Sequence, residues 1–349
     1  MIVKNESSII LEALESTLPV IDTYCIVDTG STDDTIDKIK KFYDGKISGV
    51  VHERPWVDFG TNRSEALKLC DGLMDYILVI DADDIFHGPV DAKASLHSLL
   101  RDGPNYCMLQ IKTGCVEFYR PQIFKANDDW RYVGVLHEYA TNDKEGKSIE
   151  LPSVFYNEFR TKGSRSASAD KYLKDVYVLL NALSDEPDNE RYVFYLAQSY
   201  KDSGNVEKAI EFYTKRYHMG RWSQEVYVSA LNLCRLTKSK EWAWKAHEVC
   251  PERIECLLSY MAHCRENNMW SQELYAMASY AITKPKPRGQ YLFLESDAYD
   301  WKAHDEFSII ASYTGHNDKA LEAAQYLLKN PAVPSCQIGR IRTNATFFK

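Results

Sequence analysis

The sequence lacks a long apolar run. Its clearest strand, Tyr76 to Ile80, is far too short to cross a bilayer. Lys4 and Glu6 interrupt the start before any long apolar stretch forms, so no signal peptide is expected. No CxxC pair occurs among the nine cysteines, and their odd number suits reduced thiols better than a disulfide framework or a zinc site. Basic excess is missing too. The 42 Lys and Arg against 50 Asp and Glu leave a net charge of −8, which argues against a protein that tracks nucleic-acid phosphates. No Lys/Arg cluster suggests an anionic membrane patch. Together these absences predict a cytoplasmic protein, free or peripheral to a membrane. What is present suffices for folding: 349 residues, 45% of them hydrophobic, can build two domains with a core in each.

The first half alternates strand and helix patterns. Tyr24 to Asp28 is an apolar run ending in a carboxylate. Ser31 to Asp34 then form a turn and helix start, and Ile36, Ile39 and Tyr43 recur near helical spacing. Val50 and Val51 suggest a short strand, and Thr61 to Cys70 a helix with Ala66, Leu67 and Leu69 buried. Tyr76 to Ile80 reads as a buried strand ending in Asp81-Ala82-Asp83-Asp84. This order implies a mainly parallel sheet, whose ligands gather at the carboxyl ends of the strands, where both acidic clusters lie. After about Asn157 the pattern turns helical. The Ser-, Arg- and Lys-rich stretch 160–169 marks the boundary, giving domains of 1–157 and 158–349. Leu196, Ala197, Tyr200, Gly204, Ala209 and Tyr213 are spaced like a tetratricopeptide helix pair. Looser echoes run through Tyr260, Cys264, Asn268 and Met277, and through Ala311, Gly315 and Ala320. An ordinary helical bundle is the plainer alternative.

The acidic clusters carry the chemistry. Residues two apart on a strand share a side, so Asp81 and Asp83 face one way. A departing nucleotide diphosphate needs its charge neutralised, which Mg²⁺ or Mn²⁺ held by one or two carboxylates accomplishes. One carboxylate can instead accept ribose hydroxyls, and a solvated acidic turn explains the same residues. Asp28, at a strand end, is placed to accept from a base N–H, and Gly30 permits the tight turn that follows. Asp33 and Asp34 suit the helix N-terminus.

The segments Met1-Ile-Val-Lys-Asn-Glu6, Val27-Asp-Thr-Gly-Ser-Thr-Asp-Asp-Thr35, Asn62-Arg63-x-x-Ala66-Leu67 and Asp81-Ala-Asp-Asp84 resemble the family 2 glycosyltransferases in type, order and spacing. The resemblance covers roughly residues 1–140. It implies the GT-A fold, a Rossmann-like, mainly parallel sheet that binds a nucleotide-sugar; some members carry tetratricopeptide repeats after it. By the same resemblance, Ile2, Val3 and Glu6 line the base pocket and Asp28 contacts the base. Arg63 approaches the diphosphate, Asp81 touches the ribose beside Ala82, and Asp83 binds Mn²⁺ or Mg²⁺. The chain departs from the family at Thr29, where a second Asp is common, and at Ser64, where Asn is common. It also begins inside the usual first strand.

Phe118 to Phe124 and Trp130-x-x-x-Gly134-x-Leu136-His137-Glu138 resemble the acceptor side of repeat-bearing members. Glu138 is the candidate base, with Asp128 and Asp129 as alternatives, and His137 is a second candidate metal ligand or a core histidine. The reading is an inverting transfer of a hexose-type sugar from a UDP-sugar to a glycan, peptide or other acceptor. A protein partner or self-association through the repeats is expected, with no nucleic acid and no transmembrane segment. One rival is a sugar-phosphate nucleotidyltransferase, which usually has a Gly-rich loop after the first strand where Lys4-Asn-Glu-Ser-Ser8 stands here. The other is an adaptor with a silent transferase domain.

Overall fold

The computed structural model describes residues 1–144, 146–163, 170–289 and 291–348. Residues 164–169 of the expected boundary stretch lie outside these. The chain divides into two compact units. One comprises residues 1–114 with 118–187, the other 115–117 with 188–349.

In the first unit, β1 (Ile2–Val3), α1 (Ile10–Thr17), β2 (Tyr24–Asp28), α2 (Thr35–Tyr43), β3 (Gly49–Glu53) and α3 (Phe59–Lys68) follow the expected alternation. Strands β1, β2 and β3 form a parallel sheet. Helix α2 forms because Thr35, Ile39 and Tyr43 recur one turn apart and all bury against that sheet. Burying a side chain such as Ile39 contributes about 1.5–3 kcal/mol. Tyr43 stacks on Tyr24 of β2, with ring centroids 4.1 Å apart.

The next strands are β4 (Tyr76–Leu78), β5 (Ile85–His87), then α4 (Ala92–Leu100), β6 (Tyr106–Thr113) and β7 (Val116–Lys125). They are followed by β8 (Arg131–Val133), β9 (Tyr139–Thr141), β10 (Ser148–Glu150), β11 (Tyr156–Glu158) and α5 (Lys171–Asp185). The α/β domain is as expected, and the direction of its later strands varies. Strand β4 pairs antiparallel with β7, and β5 antiparallel with β11, while β10 and β11 run parallel to β6. The second sheet is therefore mixed. It is also separate from the first, because the two residues of β1 cover only Val27 and Asp28 of β2. The Tyr24 to Ile26 end of β2 instead faces a cavity of about 430 Å³, lined across from it by Tyr76 to Ile80. Two cores result, one around Ile10, Leu14, Ile26 and Ile39, the other around Phe86, Leu109, Ile123 and Phe155.

The second unit is helical: α6 (Glu190–Asp202), α7 (Val206–Met219), α8 (Ser223–Thr237), α9 (Lys240–Val249), α10 (Glu255–Glu266) and α11 (Gln272–Ala281) come first. A short strand β12 (Leu294–Glu295), a π-helical turn (Ala298–Lys302), α12 (Ala303–Tyr313), α13 (Asn317–Lys329) and α14 (Ser335–Phe347) follow. The spaced small residues fall at helix pairs. Ala197 and Ala209 are fully buried in α6 and α7, as are Ala311 and Ala320 in α12 and α13. Each pair turns through a left-handed residue at the matching offset: Gly204 and Gly315 at φ +84°, and Asn268 at φ +54° between α10 and α11. Glycine and asparagine are the residues that tolerate this conformation most readily. Among the described residues no helix is long and apolar enough to cross a membrane.

Candidate active site

The site is built on the carboxyl ends of β1, β2 and β4 and on the start of α3. At the first two, Thr29 donates through its backbone N–H and its hydroxyl to the Val3 carbonyl, at 2.9 and 3.0 Å. The departure at Thr29 is thus a strand-end tie. Ile2 is half-buried and Val3 buried. Asp28, only 2% exposed, accepts through Oδ2 from the N–H groups of Gly30 and Ser31 at 2.9 Å each. Its Oδ1 is buried without a hydrogen bond. Gly30, at φ +101°, makes this turn possible. Asp33 serves the helix start by accepting from Thr35 N–H and Ser7 N–H, whereas the Asp34 side chain makes no cap bond.

Asp58 caps α3 by accepting from Thr61 N–H at 2.7 Å. The helix then presents Arg63 between two carboxylates. Arg63 Nη2 lies 2.5 Å from Asp81 Oδ1, and Nε lies 2.6 Å from Glu138 Oε1. The second contact is an ion pair by distance, with Nε outside hydrogen-bond geometry. Ser64, the other family departure, accepts from Tyr132 N–H at 2.8 Å and so fastens β8 to α3. Gly60 allows the same approach: a Cβ there would meet the Gly134 carbonyl at 2.7 Å. This docking carries Glu138 to Arg63 from 75 positions later in the chain, ~a fold-level rather than a local event. Tyr132 lies under the guanidinium, its ring centroid 5.7 Å from Cζ.

Burial opposes ionisation of Asp81, yet Arg63 and Arg120 outweigh it and hold its carboxyl below the usual range. Asp84 goes the other way. It is fully buried, and desolvation together with the Asp81 charge pushes it up to about 7. Arg120 Nη2 stands 3.9 Å from both Asp81 and Asp84, and Asn157 donates to Asp84 at 2.6 Å. Asp83 accepts through Oδ2 from Gly163 N–H at 2.9 Å, and Arg160 donates to the Asp83 carbonyl at 2.7 Å while pairing with Glu12. Glu6 approaches the same place: a Cβ on Gly163 would stand 3.5 Å from its carboxylate.

The structure therefore gathers Arg63, Asp81 and Glu138 directly, and brings Glu6 and Asp83 to Gly163. Ala82 points into the core with Val3 and Ile26 rather than lining an opening. His137 is exposed and left-handed, at φ +53°, which removes the core-histidine reading. Among the described residues no three metal-ligating side chains cluster. A divalent cation bound through a diphosphate needs only one or two protein carboxylates, so Asp83 fits that role without a larger cage. The alternative bases Asp128 and Asp129 pair with Lys144 at 3.0 and 3.3 Å, and Asp128 also accepts from Asn105. Sequence reasoning missed Arg120, Asn157, Arg160 and the separate role of Asp84. Arg120 does fall in the Phe118 to Phe124 segment singled out earlier, but nothing local tells which of its residues turns toward Asp81.

Residues 1–170 match glycosyl transferase family 2. The prophage-derived glycosyltransferase SunS of Bacillus subtilis is 24% identical over 224 residues, 62% of this chain and 51% of SunS. The chain thus spans about half the length of that relative. An uncharacterized glycosyltransferase of Rickettsia conorii is 34% identical over 84 residues, 24% of this chain and 27% of that protein. Among solved structures, S. aureus TarS 1–349 aligns with 77% of this chain and 90% of its own at 13% identity, with a TM-score of 0.39. A TPR protein of Thermus thermophilus aligns with 50% of this chain and 91% of its own at 14% identity, with a TM-score of 0.33. Residues 1–170 thus make up a glycosyl transferase family 2 domain.

Proposed function

We propose that the protein transfers a sugar from a nucleotide-sugar, most simply a UDP-sugar, to an acceptor hydroxyl with inversion. The observation that carries this is the Asp81–Arg63–Glu138 array beside Asp83, at the strand ends where the family binds its donor. Asp28 Oδ1, buried and unsatisfied, is an acceptor suited to a base N–H. Glu6 and the end of β1 border the same strand end. Asp81 accepts from the ribose. Asp83 holds Mn²⁺ or Mg²⁺, with the exposed His137 as a second candidate ligand. When bound, the cation neutralises charge on the diphosphate.

Arg63 joins the two halves of the reaction. Without donor it is shared by Asp81 and Glu138. An incoming diphosphate offers its guanidinium a stronger, forked anion. Glu138 is then released to accept the acceptor proton. The acceptor oxygen attacks the anomeric carbon, the anomeric carbon–phosphate oxygen bond breaks, and its electron pair leaves with the nucleoside diphosphate. The proton ends on Glu138.

We assign residues 1–157 to this chemistry, with Arg160 and Gly163 beside Asp83, and the helices from α6 onward to acceptor or partner binding by tetratricopeptide-like repeats. A thermal-shift screen of nucleotide-sugars, with and without Mn²⁺, tests the donor assignment, because a ligand stabilises the folded state by mass action. One UDP-sugar should raise the melting temperature in a metal-dependent manner, and Asp83→Asn should abolish that dependence. Full transfer activity in EDTA would remove the metal from the mechanism.

A further inference from the structure

The helical unit contains a groove of about 810 Å³, with walls from α10, the π-helical turn, α12 and α14. This volume lies within the range of small-molecule sites. A π-helical turn inside a run of α-helix is itself uncommon and frequent at functional sites.

The charges in the groove are matched in pairs. Arg235 lies 2.6 Å from Glu295, Arg265 3.0 Å from Glu306, and Arg340 2.8 Å from Asp305. Each guanidinium is neutralised in place, and the other charges of the lining are matched as well, Lys302 by Asp297 at 2.7 Å and Glu255 by Arg253 at 2.8 Å, so the groove has no spare charge with which to hold a phosphate or a carboxylate ligand. The pairs still present N–H donors and carboxylate acceptors side by side. Asp305 is the sharpest case. It is only 8% exposed; its Oδ2 accepts from Arg340, and its buried Oδ1 has no partner. A buried carboxylate oxygen left bare is costly, and a small side-chain shift opening it to the groove would let a ligand hydroxyl or N–H relieve it.

Next to these pairs stands a flat apolar surface. Tyr313 and Trp270 are stacked at 4.2 Å with planes 6° apart, and both line the groove. One face of Tyr313 is used in the stack, yet the residue remains 63% exposed. A hydroxyl-rich ring has the complementary chemistry. Its C–H face covers an aromatic ring, while each rim hydroxyl donates to a carboxylate and accepts from a guanidinium N–H. A charged peptide finds no unmatched charge here, and a purely apolar one would bury the three ion pairs without partners.

We propose that this groove is a binding site for a neutral saccharide, separate from the donor site. The inference goes beyond sugar transfer and does not depend on it.

Saturation-transfer NMR on the full chain tests it, with maltotriose, cellotriose and triacetylchitotriose as probes and a blocked alanine–serine decapeptide as control. At least one trisaccharide should bind and the decapeptide should not. Tyr313→Ala, a change at an exposed position, should weaken that binding about tenfold or more, and Asp305→Asn should weaken it while retaining the side-chain shape. Asp81→Asn, in the donor site, should leave it unchanged. The proposal is overturned if none of the three sugars binds, if Tyr313→Ala binds as well as the parent, or if Asp81→Asn abolishes the signal. Binding of the decapeptide in place of the sugars overturns it in favour of a polypeptide partner. Because transfer is not read, each of these failures leaves the glycosyltransferase reading untouched.

Discussion

Two arginines held by carboxylates, one in each unit, behave differently. Arg253 in the helical unit is fully buried, and all its donors are used: Nε and Nη2 on Glu255, Nη1 on Gln224 and the Leu292 carbonyl, Nη2 also on the Phe293 carbonyl. Its guanidinium also lies 4.0 Å from the centre of the Tyr227 ring. Glu255 in turn accepts from Tyr227 and Tyr299. Arg63 is held between two carboxylates but hydrogen-bonds only to Asp81, and its Nη1 makes no hydrogen bond among the described residues. Both arginines are held charged by their carboxylate partners, above the usual arginine range and against the effect of burial. The difference lies in saturation. A guanidinium with every donor spent can only hold the fold, whereas one with donors left and two competing anions can exchange partners.

The sharpest test of this contrast lies with the glutamates. Glu138→Gln should cut turnover ~10²–10⁴-fold, the usual contribution of a general base, while the protein melts nearly as before. Steady-state rates beside melting curves decide it; normal turnover in Glu138→Gln with a dead Asp128→Asn would move the base to the Lys144-paired loop. Next come the arginines themselves. Arg253→Ala leaves Glu255 buried without its cation and should cost about 3–5 kcal/mol of stability in denaturant unfolding. Arg63→Ala should instead lower kcat ~10²–10³-fold, as loss of one preorganised electrostatic group does. If Arg63→Ala unfolds the protein while Arg253→Ala merely slows it, the roles are reversed.

A smaller effect separates the two site carboxylates by pH. Asp84 has a folded-state pKa raised to about 7, so the folded protein binds its proton more tightly than the unfolded chain does. The stability from this proton is present at acid pH, and it is lost as pH rises from the unfolded value of ~4 towards 7. Melting curves from pH 4 to 8 should therefore show Asp84→Asn gaining on the parent as pH rises. Asp81, with a lowered pKa, contributes stability that is present above the unfolded value of ~4 and lost as pH falls below it, so Asp81→Asn should gain on the parent only in melting curves extended below pH ~4. The smallest changes concern the helix turns. Gly204→Ala should cost about 1–2 kcal/mol, the penalty for an L side chain in the left-handed region. Asn268→Gly should be neutral or slightly stabilising by urea titration. Equal costs at both positions would mean that the turns are not equivalent.

Much of the molecule was decided locally and could be read directly. The β2 strand Tyr24–Asp28 follows from a short apolar run ended by a polar turn, and α2 from apolar residues one turn apart. The helix pairs follow from small residues at repeated offsets, with glycine where the chain must turn left-handed. Arg63, Asp81 and Glu138 were all legible as candidates, because their segments resemble the family's motifs in type, order and spacing. Which of them touch was not legible. Glu138 reaches Arg63 only because β8 docks on α3 through Ser64 and Gly60, and Asp84 acquires its raised pKa only because the fold buries it beside the Asp81 charge, which together outweigh Arg120 and Asn157. The mixed second sheet was equally hidden, since alternation of strand and helix says nothing about which edge a later strand will join. Local pattern depends on neighbours within a turn or two, and the sequence states those neighbours. Pairing, burial and charge coupling depend on groups distant in sequence, and only the folded chain brings them within reach.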